Sequence, residues 1–406
     1  MRMMITRLKT RIRTILAGRF CPRNIGMVLM ALVFVFNFSP AMIAVRKLPE
    51  AFFVENGDEV RFPLQGGTVS AAYSGDETLG SERVSVRLFG SVELANVPVF
   101  TAERAELIPG GTAAGISIRT AGVLIVGFGD VKAGSCPAAK AGLRAGDLII
   151  SVNGEKVYTA EELQLAVSAA KELAIIGYER GGKLKTASIA PDSGRIGAWV
   201  RDSTVGIGTL SFITASGHSA ALLGHAIVDA DTGRLLPVHS GETCIASIVG
   251  VSKGETGLPG ELKGTFSENS ERIGKVLENC ELGVFGTCDN ADLTGEAKPL
   301  SCAFPSEVHT GDAFIIAQTD GEGPQQYSCR IVRAARQSRP DQKGLVIEVT
   351  DERLIEKTGG IVQGMSGSPI IQDGRLAGVV THVFVNDPLR GYGIYAYWML
   401  DKCGGR

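Results

Sequence analysis

The 406-residue sequence has only five histidines, few aromatics (6%) and no aspartate or glutamate before Glu50. Few aromatics beside 52 glycines suit short strands and many turns rather than helical bundles. A net charge of −2 provides no basic surface for a nucleic acid. None of the eight cysteines forms a CxxC pair, which removes the usual zinc-site signature. The expectation is therefore a mainly β protein with no metal and no other cofactor.

The missing acids leave an uncompensated basic start: Arg2, Arg7, Lys9, Arg11, Arg13, Arg19 and Arg23. Ile25 to Val45 follows as an almost wholly apolar run. About 20 apolar residues suffice to cross a bilayer, and a basic flank keeps its own end cytoplasmic. The body of the chain is therefore expected to be exported. Ser39, Ala41 and Ala44 offer small residues for a signal peptidase, so a cleaved signal and a retained anchor both remain open. Export permits disulfides, and Cys280, Cys288 and Cys302 are close enough in sequence to pair. A large exported domain does not need such staples, so free buried thiols are expected for most of the cysteines.

Beyond this segment the chain reads as three pieces. Residues 46–105 are broken by Pro49, Gly57, Pro63, Gly66 and Gly67, and Arg83–Phe89 alternates polar and apolar as a half-buried strand does. This piece is a small β-rich region with no assigned role. In residues 106–193, an apolar strand at Gly122–Phe128 precedes Ser135–Val157 and a helical stretch, Ala160–Lys171. Gly142 closes a short helix at Pro137–Ala141, and Asn153-Gly154 marks a hairpin. The run AGLRAGDLIISVNG resembles PDZ domains of the bacterial protease-associated type. Such domains add an extended peptide to a sheet edge. The resemblance places the peptide-binding loop at Gly115 and Ile116, with Ser117 and Ile118 on the edge strand. The alternative is that the module packs on its neighbour and takes no free peptide. Residues 194–406 show many short Val/Ile/Leu runs between glycine turns, with no repeat of fixed period, as in a β-barrel or sandwich.

That last piece carries Gly364-Met365-Ser366-Gly367-Ser368-Pro369, then a strand, an Asp373-Gly374 turn and a strand. A serine between glycines can approach a substrate closely. Two amides at such a turn, those of Gly364 and Ser366, can point at one oxygen. The layout resembles the nucleophile segment of chymotrypsin-like serine proteases. A serine nucleophile needs a base, and the base an orienting partner. His225, in Leu222–Asp229, follows a glycine and leads into apolar residues; His218 sits in a more polar turn. For the acid, Asp351 ends the strand Leu345–Thr350, with Asp229, Asp231 and Asp312 as rivals. A strand-end aspartate also caps helices, and Glu352–Lys357 can be that helix.

Val200–Leu210, Leu222–Gly233 and Val349–Leu400 together resemble the stage IV sporulation protein B serine endopeptidase family. The order of membrane segment, β-rich region (46–105), PDZ (106–193) and peptidase (194–406) matches as well. The resemblance implies a chymotrypsin-like double β-barrel, with Ser366 as nucleophile, His225 as general base and Asp351 as orienting acid. It also implies a membrane-anchored protein exported into the space between the forespore membranes. There it would cleave itself and then a membrane-bound inhibitor of an intramembrane protease, activating a late sigma factor. A non-catalytic PDZ adaptor would tolerate loss of the serine or histidine, and both are present. A general envelope quality-control protease would place its PDZ after the protease, the reverse of the order here.

Overall fold

The computed structural model describes residues 22–403 apart from 47, 56–68, 77–80, 90, 133, 268, 291–292 and 294–296. Arg2 to Arg19, Cys21, Gly57, Pro63, Gly66 and Gly67 lie outside the described residues. The chain divides into two compact units, Met1–Phe100 and Thr101–Arg406.

In the first unit the apolar run forms two helices, Pro22–Asn37 and Pro40–Arg46. Pro40 lacks an N–H and so opens the second helix rather than extending the first. Among the described residues no helix is long and apolar enough to cross a membrane. Strands β1 (Phe52–Val54), β2 (Val69–Asp76), β3 (Ser81–Leu88) and β4 (Val92–Thr101) form one sheet in the order β1-β4-β3-β2. The alternation expected at Arg83–Phe89 is β3, where Val84 and Val86 are buried with Val97, Val99, Leu48 and Phe52.

The second unit opens with β5 (Glu106–Pro109) and the sixteen-residue β6 (Ala113–Phe128). Strands β7 (Leu148–Val152), β8 (Glu155–Lys156), β9 (Ala174–Arg180) and β10 (Lys183–Ile189) follow, with the helix Ala160–Ala169. The chain turns from β7 into β8 at Asn153 (φ 52°) and Gly154 (φ 90°), the left-handed pair that a tight hairpin requires. A capping box between Thr159 and Glu162 starts the helix, and Leu163 and Val167 pack it onto Ile149, Ile176 and Ile189.

The strands of the last piece begin with β11 (Ala198–Thr214), β12 (Ser219–Leu222), β13 (Val238–Ile245), β14 (Ser247–Ser252) and β15 (Glu261–Thr265). Strands β16 (Arg272–Cys280), β17 (Gly283–Thr287) and β18 (Leu300–Ser301) complete the first half. The order β6-β13-β16-β17-β12-β11, with β11 paired back to β6, closes a six-stranded ring. A second closed barrel contains β19 (Gly311–Ala317), β20 (Gln325–Ala334), β21 (Leu345–Val349), β22 (Pro369–Gln372), β23 (Arg375–Phe384) and β24 (Asp387–Tyr395). The expected Asp373-Gly374 turn joins β22 to β23. The fold is thus mainly β, with a PDZ module and two chymotrypsin-like barrels. Among the described residues the cysteines are thiols, not disulfides.

The barrel corrects one expectation. Gly115, Ile116, Ser117 and Ile118 do not form an open peptide-binding edge. They are interior to β6, paired with Val205–Ile207 and Thr204 of β11 on one side and with Gly241–Cys244 of β13 on the other. A strand paired on both sides has no ladder groups left for a third strand. The glycine is needed for packing instead: a Cβ at Gly115 meets the Phe266 ring at 2.4 Å. Gly115→Val should therefore destabilise by roughly 1–3 kcal/mol through overpacking, seen as a lower Tm. Cleavage of a protein substrate and of a short peptide should fall together. Loss confined to the protein substrate would restore the peptide-binding assignment.

Candidate active site

Ser366 sits on a turn that only glycine allows. Gly364 (φ 94°) and Gly367 (φ 99°) are both left-handed. A Cβ on Gly367 meets the Thr209 carbonyl oxygen at 2.3 Å and the Leu223 nitrogen at 2.7 Å. Thr209, on β11 of the first barrel, grips this turn of the second. Its N–H donates to the Ser366 carbonyl (3.0 Å) and its hydroxyl to the Gly364 carbonyl (2.8 Å).

The peptide units leading into Gly364 and Ser366 are held by their other ends. The Gln363 carbonyl accepts from Leu262 N–H (2.8 Å), and the Met365 carbonyl from Ser368 N–H (3.0 Å). In a trans peptide the N–H points opposite the carbonyl. The N–H groups of Gly364 and Ser366 have no acceptor among the described residues, whereas those of Met365 and Gly367 are bonded to Val362 and Val380. Two free donors beside a serine are what an oxyanion hole requires.

His225 follows β12 through Leu223 (φ 69°) and Gly224 (φ 70°). A left-handed leucine is strained and persists only where packing dictates it; Leu223 is buried in the core of the first barrel. A Cβ on Gly224 meets Val379 at 2.7 Å, so the turn lies tight against the second barrel. His225 Nδ1–H donates to the Ala226 carbonyl at 2.9 Å, which leaves Nε2 as the free acceptor. Burial lowers the pKa of His225, partly opposed by the Ala226 bond.

Ser366, His225, Gly364, Thr381 and His382 line one cavity of about 590 Å³, with Ile207, Val362 and Val383 as apolar wall. His382, on β23, lies 4.6 Å from His225 between ring centroids. Burial, then His225, then Lys343 push its pKa down to about 4. Both imidazoles are therefore neutral at pH 7. The Ser366 hydroxyl donates to the Thr381 carbonyl at 2.6 Å. Reaction thus requires rotation about the serine Cα–Cβ bond to bring the proton to a base, a common feature of unliganded sites.

The structure does not bring Asp351 to His225. Asp351 caps the helix Glu352–Thr358, accepting from Arg353 N–H and its guanidinium and from Ser328 N–H. The Arg353 bond, with the two backbone bonds, holds its pKa at about 2. The rivals are also engaged elsewhere. Buried Asp229 takes Arg201 and Thr232, Asp231 takes Arg201, and Asp312 faces Arg330. His218 lies exposed in the turn before β12, away from the cavity wall. Sequence reasoning did not single out Thr209, Thr381 or His382 for the site; ordinary strand residues carry no local signal of what they face.

The family described as SpoIVB peptidase S55 matches residues 192–400, just over half the chain. A PDZ domain matches residues 129–180, beyond Gly115–Ile118. A probable periplasmic serine endoprotease, DegP-like, from Bartonella henselae is 42% identical over 59 residues. That match covers 14% of this chain and 12% of that protein. The Rv3671c protease of M. tuberculosis, in its active form, is 18% identical over 50% of this chain and 76% of its own, with a TM-score of 0.28. The PDZ domain of an SdrC-like protein from Listeria monocytogenes is 26% identical over 20% of this chain and 86% of its own, with a TM-score of 0.17.

Two outcomes follow from the geometry. A base with a lowered pKa stays neutral to lower pH, so the acid limb of kcat/KM should lie below pH 6.5, the unperturbed histidine value; a limb above 6.5 contradicts the burial argument. Asparagine caps helices about as well as aspartate. Asp351→Asn should therefore keep turnover within about tenfold of wild type, whereas loss of an orienting acid lowers it about 10⁴-fold. Steady-state kinetics on a peptide substrate separates the two.

Proposed function

The chain belongs to the SpoIVB peptidase S55 family, and on that footing we propose that it is an exported serine endopeptidase with Ser366 as nucleophile and His225 as general base. The observation that carries this is the single cavity holding Ser366, His225 and the two unbonded amides of Gly364 and Ser366. In the proposed reaction His225 Nε2 takes the Ser366 proton as Oγ attacks a peptide carbonyl. The two amides stabilise the oxyanion, and the imidazolium returns its proton to the leaving amine.

The substrates proposed are the chain itself, near its N-terminus, and then a membrane-bound regulatory protein that restrains an intramembrane protease. The setting proposed is the space between the forespore membranes, with the N-terminal segment as anchor or signal before processing. Family membership and the basic, then apolar, start of the sequence support this reading. The PDZ module is assigned to substrate selection. A groove of about 270 Å³ between the helix Ala160–Ala169 and Arg195–Val200, lined by Leu163, Val167 and Trp199, suits an extended peptide.

The test is self-cleavage. The full-length chain and its Ser366→Ala variant are incubated side by side and their N-terminal fragments read by mass spectrometry. Wild type should shed a fragment, while the variant, with a typical triad loss of about 10⁴-fold or more, should remain whole. Equal processing in both would overturn the assignment of Ser366.

A further inference from the structure

The His225 ring is held through one of its two nitrogens. Its Nδ1–H ends on the Ala226 carbonyl at 2.9 Å. That carbonyl and the N–H of Ile227 belong to one planar peptide unit. The Ile227 N–H donates to Asn279 Oδ1 at 2.8 Å. Asn279 Nδ2 donates to the Ile227 carbonyl at 2.7 Å and to the Leu236 carbonyl at 2.9 Å. Both amide hydrogens and the amide oxygen are thus used, in a residue only 6% exposed. The amide orientation follows from its partners. A flipped group would set its NH2 against an N–H and its oxygen against two carbonyls.

We propose that Asn279 is the positioning residue of His225, acting through the Ala226–Ile227 peptide unit that accepts from Nδ1. The inference rests on His225 being the base. Asn279 lies on β16, where pairing with Val284 of β17 fixes its backbone in the wall of the first barrel. From there it clamps both sides of Ile227, so the preceding carbonyl stays aimed at Nδ1. The clamp selects the Nδ1–H tautomer and leaves Nε2 as the acceptor. A hydrogen bond accepted from the unit's N–H also polarises its carbonyl, which favours the imidazolium as the serine proton arrives. A carbonyl dipole does this less strongly than a carboxylate charge, in keeping with the lowered pKa of His225. Beside the ring on the cavity side stands His382, with Lys343 acting on His382 in turn.

The test compares Asn279→Leu, Asn279→Asp and His225→Ala in the full-length chain, by kcat, KM and the pH profile of kcat/KM on one peptide substrate. Asn279→Leu frees the peptide unit and should lower kcat about 10²-fold, the scale of a roughly 1 Å misplacement, with KM little changed. Asn279→Asp has nearly the same volume and keeps the acceptor for Ile227 N–H, and it covers the case in which the leucine variant does not fold. It should retain part of the activity, and its added negative charge should move the acid limb to higher pH. If either folded variant lowers the Tm but keeps wild-type kcat and acid limb, Asn279 is merely structural and the inference is overturned. If His225→Ala is itself fully active, the assignment of the base fails. If His225→Ala is inactive while both Asn279 variants behave as wild type, only the present inference fails.

Discussion

One residue, Thr209, joins the two halves of the site. Its N–H and hydroxyl hold the carbonyls of Ser366 and Gly364, and its own carbonyl accepts from Leu223 N–H at 3.4 Å, two residues before His225. The residue is almost wholly buried, so these bonds do not compete with water. With the turn fixed on β11 and the Gln363 and Met365 carbonyls committed to the Leu262 and Ser368 N–H groups, the amides of Gly364 and Ser366 are left without an acceptor among the described residues. Gly367 must be a glycine for the same reason, since the Thr209 carbonyl occupies the space a Cβ would need.

The electrostatics of the cavity follow from burial more than from charge. Among the described residues no carboxylate bonds either histidine of the cavity, and desolvation holds both pKa values down. A neutral imidazole with one nitrogen committed to a backbone carbonyl has a defined tautomer and an available lone pair. The arrangement needs a rigid backbone, which the strained Leu223-Gly224 turn and the buried Asn279 provide from opposite ends of the His225 segment.

The PDZ module and the peptidase are continuous within one sheet. Strand β6 contributes its first half to the first barrel and its second half to the PDZ sheet, and β11 pairs with it along both. Neighbouring residues of β11 reach in different directions. Trp199 and Val200 line the groove beside the helix Ala160–Ala169, Arg201 pairs with buried Asp229 after the His225 segment, and Asp202 accepts from Ala160 N–H at the start of that helix. A boundary drawn between 193 and 194 therefore divides modules that share hydrogen-bonded strands.

Local chemistry made much of this legible in the sequence. Glycine spacing marked the turn at Ser366, Asn153-Gly154 and Asp373-Gly374 marked hairpins, and alternating apolar residues marked strands, because each depends only on near neighbours in the chain. The choice of His225 over His218 rested on the same kind of signal, a glycine before and apolar residues after, and the structure puts His225 and not His218 in the cavity wall with Ser366. Tertiary structure decided the rest. It made Gly115–Ile118 an interior strand, because β11 and β13, both later in the chain, return to pair with it. It turned Asp351 to a helix cap, since Arg353 and the Ser328 amide lie closer at hand than any histidine. It brought Asn279 to the peptide unit after His225, 52 residues away in sequence, through a strand pairing that no local pattern encodes. The sequence determined which residues can perform the chemistry; barrel closure determined which of them meet.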